Sequence, residues 1–406
     1  MSLIDKIKKN STLKNIKVDV ISKSAFMGKT DFVRTPVPML NVALSGKLDG
    51  GFSKGIIQLA GPSKHYKSNF AFLMAAAFQR QYSDGIILFY DSEYGVTQKY
   101  LDNFGIDSER VVHVPLKHIE ELKFDLIAQL EGFEQKNNVL ILLDSLGNLA
   151  SKAELEAALN EKGTIDMQRA KQLKSIFRMA TPYLSQKNIP MIIINHTYDD
   201  MEGWGGQKVS GGTGAYYSSD TIFVIGRSQE KNSKGLRGYN FNINIEKSRF
   251  VKEKSKIPIT VLFEGGIDTF SGLIELAEEG GFIKRVGESH IRTFLNETDK
   301  EKVFIKGAKE EVKRTWWTKV LQHKPFKEFI ENKYQLTFVS ALEDYEVSEE
   351  EYIELIKEEL VEELVEEIGE EIGEEVNINP ITGEITTEDT DVNETDIPWG
   401  EENATA

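Results

Sequence analysis

Five short runs of aliphatic residues, separated by amphipathic stretches, restrict this 406-residue chain to few architectures. They are Ile56–Ala60, Gly85–Tyr90, Val111–Val114, Val139–Asp144 and Met191–Asn195. Each is apolar at consecutive positions, so each strand must be covered on both faces. Helical periodicity at about 68–81, 97–104, 117–134 and 166–187 supplies that cover. Strands alternating with helices give an α/β fold with a mostly parallel central sheet. Further β-rich runs follow at Thr221–Ile225, Asn240–Glu246 and Ile257–Phe263. Ligands of such sheets sit at the carboxyl ends of the strands. The polar residues ending three of them, Asp91 with Glu93, Asp144, and Asn195 with His196, are therefore expected to meet.

The first of these strands runs into Gly61-Pro62-Ser63-Lys64-His65-Tyr66-Lys67-Ser68-Asn69. This is a phosphate-binding loop of the form G-x-x-x-x-G-K-[ST], except that Tyr66 stands where the second glycine belongs. Gly61 opens the turn, Lys67 reaches the β/γ-phosphates and the Ser68 hydroxyl holds Mg²⁺. The helix that follows points its free N–H groups at the anion. A nucleoside triphosphate is the implied ligand.

Val139–Asp144 is the matching second motif, an apolar strand ending in a carboxylate that faces the Mg²⁺ shell opposite Ser68. Alone it also fits a buried strand with an exposed terminal acid. Its pairing with Lys67-Ser68 makes the nucleotide reading much the stronger. Phe89-Tyr-Asp-Ser-Glu-Tyr94 places Glu93 just beyond a core strand, where a carboxylate positions water against the γ-phosphoryl. By spacing alone a solvated acidic turn fits equally well. Ile192-Ile-Ile-Asn195-His196-Thr197 ends another strand and precedes a Gly-rich run from Asp199 to Ser219. A lone histidine is usually structural, but this placement favours a γ-phosphate sensor backed by a moving loop.

Composition narrows the setting. The chain has no cysteine, which excludes disulfides and thiol chemistry. No apolar run approaches the roughly 20 residues that span a bilayer, and the basic N-terminus lacks the apolar stretch of a signal peptide. A reducing cytoplasm and no membrane partner are expected. The net charge of −16 conceals two opposed parts: residues 343–406 hold 25 acids and one base, Lys357, while the other 342 residues carry a net of +8. A basic body with an acidic tail fits a nucleic-acid binder with a solvated interaction segment, and tail acidity also serves solubility alone.

The motifs GPSKHYKSN, FYDSE, LILLDSLGNLASK, ALNEK, KNIP, INHTY, GGTG, EKSR with VKEKSK, and GGID stand together between about residues 30 and 340. In that combination the chain resembles the RecA-type strand-exchange recombinases, and most closely the branch found in T4-like bacteriophages. The resemblance implies a RecA-type P-loop ATPase core over 31–268. It also implies a short N-terminal polymerisation segment (1–30), a small C-terminal domain (269–345) and an acidic, partly helical to disordered tail (346–406). The aromatic residue at Tyr66 then reads as a feature of the branch.

Carried over residue by residue, the resemblance implies ATP and Mg²⁺ as cofactors, with Gly61 to Asn69 cradling the phosphates and Ser68 and Asp144 serving the metal. Glu93 becomes the carboxylate that activates water. Tyr100 stacks on adenine, and Thr97 occupies the position of an adenine-reading Asp in bacterial RecA. His196 stands where that family has a phosphate-sensing Gln, and an imidazole there adds a pH dependence. Lys247 and Arg249, spaced by two on a strand and so projecting to one face, would reach the ATP of the neighbouring subunit. A solvated strand edge is the plain alternative.

Two DNA loops are implied, about Ser151–Asp166 and Tyr198–Ser219. The second offers Gly203, Trp204, Gly205, Gly206, Lys208, Gly211, Gly212 and Gly214, with charge from the lysine and stacking from the tryptophan. By composition alone a disordered surface loop fits better, and the resemblance favours DNA contact. Arg169 and Lys171 are candidate phosphate contacts. Trp316 and Trp317, beside Lys313 and Arg314, suit either duplex DNA or a core. An apolar residue near Phe26 is the expected docking point on the next subunit. Partners implied are single-stranded DNA, double-stranded DNA, the chain itself as a helical filament, and a phage recombination mediator, single-strand-binding protein and helicase. The reading is homologous pairing and strand exchange with DNA-stimulated ATP hydrolysis. Its rivals are a hexameric replicative helicase, which would carry a larger N-terminal domain, and an ATP-gated DNA-coating filament with little hydrolysis.

Overall fold

The computed structural model describes residues 2–12, 18–24, 31–160, 167–199, 207–233, 235–287, 289–295, 310–336, 376–378 and 385–387. The chain forms two compact units, Met1–Thr337 and Phe338–Ala406. In the second, β14 (Val376–Ile378) pairs antiparallel with β15 (Ile385–Thr387). Most of the acidic tail, Phe26, and Gly203, Trp204, Gly205 and Gly206 lie outside the described residues.

The first unit begins with α1 (Leu3–Asn10) and α2 (Pro38–Ser45). The core alternation follows: β1 (Gly55–Ala60), α3 (Lys67–Gln81), β2 (Ile86–Asp91), α4 (Gln98–Asp102), β3 (Val111–Pro115), α5 (Ile119–Gly132) and β4 (Val139–Asp144). Next come α6 (Lys152–Leu159), α7 (Met167–Gln186), β5 (Pro190–Asn195), β6 (Thr197–Asp199), β7 (Gln207–Val209) and α8 (Gly212–Ser218). Long strands β8 (Thr221–Asn232) and β9 (Gly235–Lys247) lead to β10 (Lys256–Leu262), β11 (Gly266–Ile267), α9 (Leu273–Glu279), β12 (Ile283–Val286), β13 (Ser289–Arg292), α10 (Glu310–Gln322) and α11 (Lys324–Tyr334).

Among the described residues one nine-stranded sheet runs β11-β10-β9-β8-β1-β5-β4-β2-β3. From β8 to β3 the neighbours are parallel, and β9 and β10 are antiparallel. The α/β expectation is met, and every predicted core strand lies within one residue of its bounds. Strands β1, β4 and β5 are buried along their whole length, so they are aliphatic apart from Gln58, Asp144 and Asn195. One face packs α3 through Phe70, Phe72 and Met74, and the other packs α5 and α7 through Leu122, Leu126, Ile176 and Phe177.

Both expected DNA loops contain helix. In the first, the Ser151 hydroxyl caps α6 by accepting from the Glu154 N–H at 3.1 Å. In the second, β6 and β7 pair as a hairpin and the glycine-rich remainder forms α8. Local propensity argues against helix there, but α8 gains by packing on α7, where a Cβ on Gly214 would stand 2.7 Å from the Lys174 Cα. Trp316 and Trp317 are core residues: both are buried, and Trp317 stacks on Phe270.

Candidate active site

Register decides which side chains can meet. Ala60 lies opposite Asn195, and Asp91 opposite Asp144, so these parallel strands end level. The residues just past their ends converge near the loop from Gly61 to Asn69, where Glu93 and Asp144 both act on the Lys67 ammonium.

Gly61 leaves β1 at φ 153°, where a Cβ would come within 2.8 Å of the Ile225 carbonyl oxygen. Lys64 and Tyr66 both take the left-handed conformation, φ 63° and 64°. That conformation at Tyr66 explains why glycine is the ordinary residue in this position. The tyrosine ring fills the space it would otherwise leave open, stacking on Phe241 of β9 at 5.0 Å and meeting Phe70 edge-on at 5.3 Å. The loop is braced again where the Arg227 guanidinium donates to the Lys64 carbonyl at 3.1 Å. Ser63 and Lys64 are exposed, and the His65 ring lies 2.9 Å from the Ser63 carbonyl.

Lys67 opens α3 almost wholly buried. Its ammonium donates to the carbonyls of Gly61 and Pro62 at 2.9 and 2.8 Å, folded back over the loop. Burial lowers the Lys67 pKa, with Glu93 and Asp144 opposing that shift. Asp144 is buried with the Ser68 hydroxyl beside it favouring the ionised form, while its Oδ1 has no hydrogen-bond partner. Burial pushes the Asp144 carboxyl up to about 6, and the negative charge of Glu93 and Asp91 adds to the shift. A hydroxyl beside a carboxylate with an orphaned buried oxygen is a donor set that suits Mg²⁺.

Glu93 is held from three sides. Its Oε1 accepts from the Ser145 hydroxyl at 2.7 Å and the Asn148 amide at 3.0 Å, and lies 3.4 Å from His196 Nε2. Hydrogen bonding from His196, with that from Ser145, holds the Glu93 pKa below its ordinary value. The imidazole can lie so close because position 147 is glycine, whose Cβ would stand 2.4 Å from the His196 ring. Buried Asp91 sets the turn carrying Glu93 by accepting the N–H groups of Glu93 and Tyr94 at 2.9 and 2.8 Å. His113 Nε2 lies 3.2 Å from the other oxygen of Asp91. Ser145, Asn148 and His113 were not singled out from the sequence. The first two follow the Asp144 strand directly in the DSLGN run, which is where a search for partners of Glu93 would begin.

Tyr100 stands beside the loop at the start of α3, its hydroxyl donating to the Asn69 side-chain oxygen at 2.9 Å. The Thr97 hydroxyl caps α4 by accepting from the Tyr100 N–H at 3.3 Å.

Lys247 and Arg249 are not brought to this site. Lys247 lies opposite Ile222, and its ammonium donates to the carbonyls of Tyr216 and Tyr217 at 3.1 and 3.0 Å. Arg249, past the end of β9 instead of on the strand, pairs with Asp220 at 2.6 Å, and Asp220 also accepts the Ile56 N–H at 2.8 Å. Ile56 precedes Gly61 by five residues of β1, ~16 Å at about 3.3 Å per residue. Both cations therefore sit at the edge of the sheet opposite the phosphate loop.

Arg169 is also committed elsewhere. Its guanidinium donates to the carbonyls of Leu149, Leu146 and Gly147 at 2.7, 2.9 and 3.3 Å, tying α7 to the segment after β4. Lys171 and Lys208 are exposed. A cleft of about 440 Å³, lined by Gly147, Asn148, Leu149, Arg169, Gly211 and Gly212, opens between that segment and the start of α8. Among the described residues no helix is long and apolar enough to cross a membrane.

The RecA N-terminal domain family matches residues 10–268 of the chain. The chain is 47% identical over 340 residues to the "Recombination and repair protein" of Enterobacteria phage T4, covering 83% of this sequence and 86% of that one. It is also 25% identical over 275 residues to "Protein RecA" of a Nocardioides species, covering 65% and 76% of the two chains. To "Protein RecA" of Chloroherpeton thalassium it is 26% identical over 285 residues, covering 65% and 74%.

Proposed function

The chain belongs to the RecA family as a RecA-like recombinase, and from that we propose that it assembles on single-stranded DNA with ATP and pairs it with homologous duplex. Membership carries DNA-dependent ATP hydrolysis, ATP binding with Mg²⁺, DNA binding and self-assembly in their general form. The finer assignments rest on the site. The observation that carries them is the split arrangement: phosphate loop, Glu93 and Asp144 at one edge of the sheet, Lys247 and Arg249 at the other.

In this reading Lys67 turns from the Gly61 and Pro62 carbonyls to the phosphates, and the N–H groups of α3 receive their charge. Ser68 and Asp144 would hold Mg²⁺, and the ion would supply positive charge to the phosphoryl oxygens. Glu93, ionised because its pKa is held low, orients the attacking water and takes its proton. His196 senses the γ-phosphate from the same cluster. Tyr100 supplies an aromatic face to the base. Lys247 and Arg249 of one copy serve the nucleotide of the next, so turnover follows assembly. There is no covalent chemistry on DNA: exchange proceeds by base pairing.

The expected DNA surface is the cleft between the segment after β4 and α8 with the adjoining loops, where Lys171 and Lys208 present charge. Residues 1–30 are assigned to subunit contact and 269–345 to a small C-terminal domain. The acidic residues from 346 onward are assigned to regulation or partner contact. A mediator, a single-strand-binding protein and a helicase of the phage are proposed partners in the host cytoplasm. Electron microscopy with ATP and single-stranded DNA, beside ATPase assays with and without that DNA, tests the reading. Helical filaments and DNA-stimulated turnover are expected, whereas closed rings or turnover indifferent to DNA would sink it.

A further inference from the structure

Strand β1 reads Gly-Ile-Ile-Gln-Leu-Ala, and Gln58 is the one polar side chain in this central, wholly buried strand. Burying an amide without partners is costly, so the partners of Gln58 reveal what the substitution of an aliphatic residue would lose. Its Nε2 donates to the Ser219 hydroxyl at 2.8 Å, and its Oε1 accepts from Asn195 Nδ2 at 3.2 Å.

Each partner leads to a different working part. Asn195 directly precedes His196 and accepts the His196 N–H through its side-chain oxygen at 2.9 Å. Its second amide hydrogen goes to the Ser210 carbonyl at 2.7 Å, at the root of the glycine-rich segment. Ser210 returns the contact, its N–H donating to the His196 carbonyl at 2.9 Å. Ser219 closes α8, its hydroxyl donating to the Ala215 carbonyl at 2.8 Å. Ser219 is followed by Asp220, which holds Arg249 and the Ile56 N–H. A single side chain in the middle of the sheet thus touches the sensor strand, and through Asn195 the base of a DNA-facing segment. Through Ser219 it also touches the anchor of the cation at the opposite edge.

On the reading given under Proposed function, we infer that Gln58 is a positioning residue that couples nucleotide state at His196 to DNA grip at the Ser210–Ser219 segment. Both hydrogens of the Asn195 amide are used, so His196 cannot shift its backbone without moving Ser210 or releasing Gln58. Release of Gln58 frees Ser219 and with it the end of α8. Gln58, Asn195 and Ser219 are buried, and Gln58 is hydrogen-bonded to both of the others, which favours discrete arrangements over gradual ones.

The test uses the full chain in wild-type form and as Gln58→Leu and Ser219→Ala. Both side chains are buried, Ser219 at the root of its segment and away from its exposed surface, and Ser219→Ala removes only one oxygen atom, which guards against failure to fold. Binding of fluorescent oligo-dT is measured without nucleotide and with a non-hydrolysable ATP analogue, beside ATPase rates with and without DNA and a melting curve. Expected is DNA affinity without nucleotide and DNA-independent turnover within about twofold of wild type, while the nucleotide-induced gain in affinity falls by about threefold to tenfold in both variants. An undiminished gain in both variants overturns the inference. So does a loss that tracks lower melting temperature and lower basal turnover, which marks Gln58 as core packing only. Absence of any nucleotide-induced gain in wild type overturns the parent reading and this one together, and that failure is recognised before any variant is compared.

Discussion

Restoring glycine at position 66 should weaken the protein, although glycine is what the motif ordinarily carries. Tyr66→Gly removes two ring contacts, each about 0.5–1.5 kcal/mol beyond burial, and roughly 1 kcal/mol for the buried part of a half-buried ring. It relieves the left-handed backbone, about 1 kcal/mol, but frees the unfolded chain by a comparable amount. The net expected is a loss of about 2–4 kcal/mol. Urea unfolding without nucleotide measures it, with Tyr66→Phe as the control that keeps the ring contacts and removes only the hydroxyl. The phenylalanine variant should lose about 1 kcal/mol or less. Because Lys67, Ser68 and the N–H groups of α3 are untouched, nucleotide affinity in the glycine variant should fall by less than about tenfold, ~1.4 kcal/mol. A glycine variant as stable as wild type would refute the idea that the ring braces the loop against β9.

Glu93→Gln should keep nucleotide binding and lower turnover by about 10²- to 10⁴-fold in a steady-state ATPase assay; near-normal turnover would remove Glu93 from its role. Arg249→Ala should cost turnover by about 10³-fold or more at saturating DNA, and mixing it with Glu93→Gln should restore activity, since some interfaces then hold both intact groups. Mixtures no better than either variant alone would count against service in trans. For Asp144, burial raises the pKa to about 6, so the folded chain holds its proton more tightly than the unfolded one. This group's contribution is fully present below about pH 4 and is lost as pH rises through about 6, a change of about 2–3 kcal/mol. Urea unfolding in chelator at pH 4.5 and 7.5 should show that drift in wild type relative to Asp144→Asn, and parallel behaviour of the two would be the contrary result. Arg169→Ala should destabilise the fold by about 1–3 kcal/mol through three freed carbonyls, measured by the same unfolding assay.

The amino-acid sequence determined the sheet and the loop in front of it. Short aliphatic runs such as Val139-Leu-Ile-Leu-Leu, bounded by turns and alternating with helices, read as interior parallel strands, and the run from Gly61 to Ser68 reads as a phosphate-binding loop. It also named Glu93, Asp144 and His196, because residues just past parallel strands face the ligand edge. What Tyr66, Gln58 and Arg169 do was not legible, since each depends on partners far away in the chain: Phe241, Ser219 with Asn195, and the carbonyls after β4. The glycine-rich segment read as loop and contains α8, because packing against α7 outweighs poor local propensity. Lys247 and Arg249 read as a pair on one strand face, yet only the antiparallel return of β9 put them at the edge away from the phosphate loop. Local pattern fixes which face a residue can occupy, but register and strand direction, which arise from long-range pairing, decide what that residue meets.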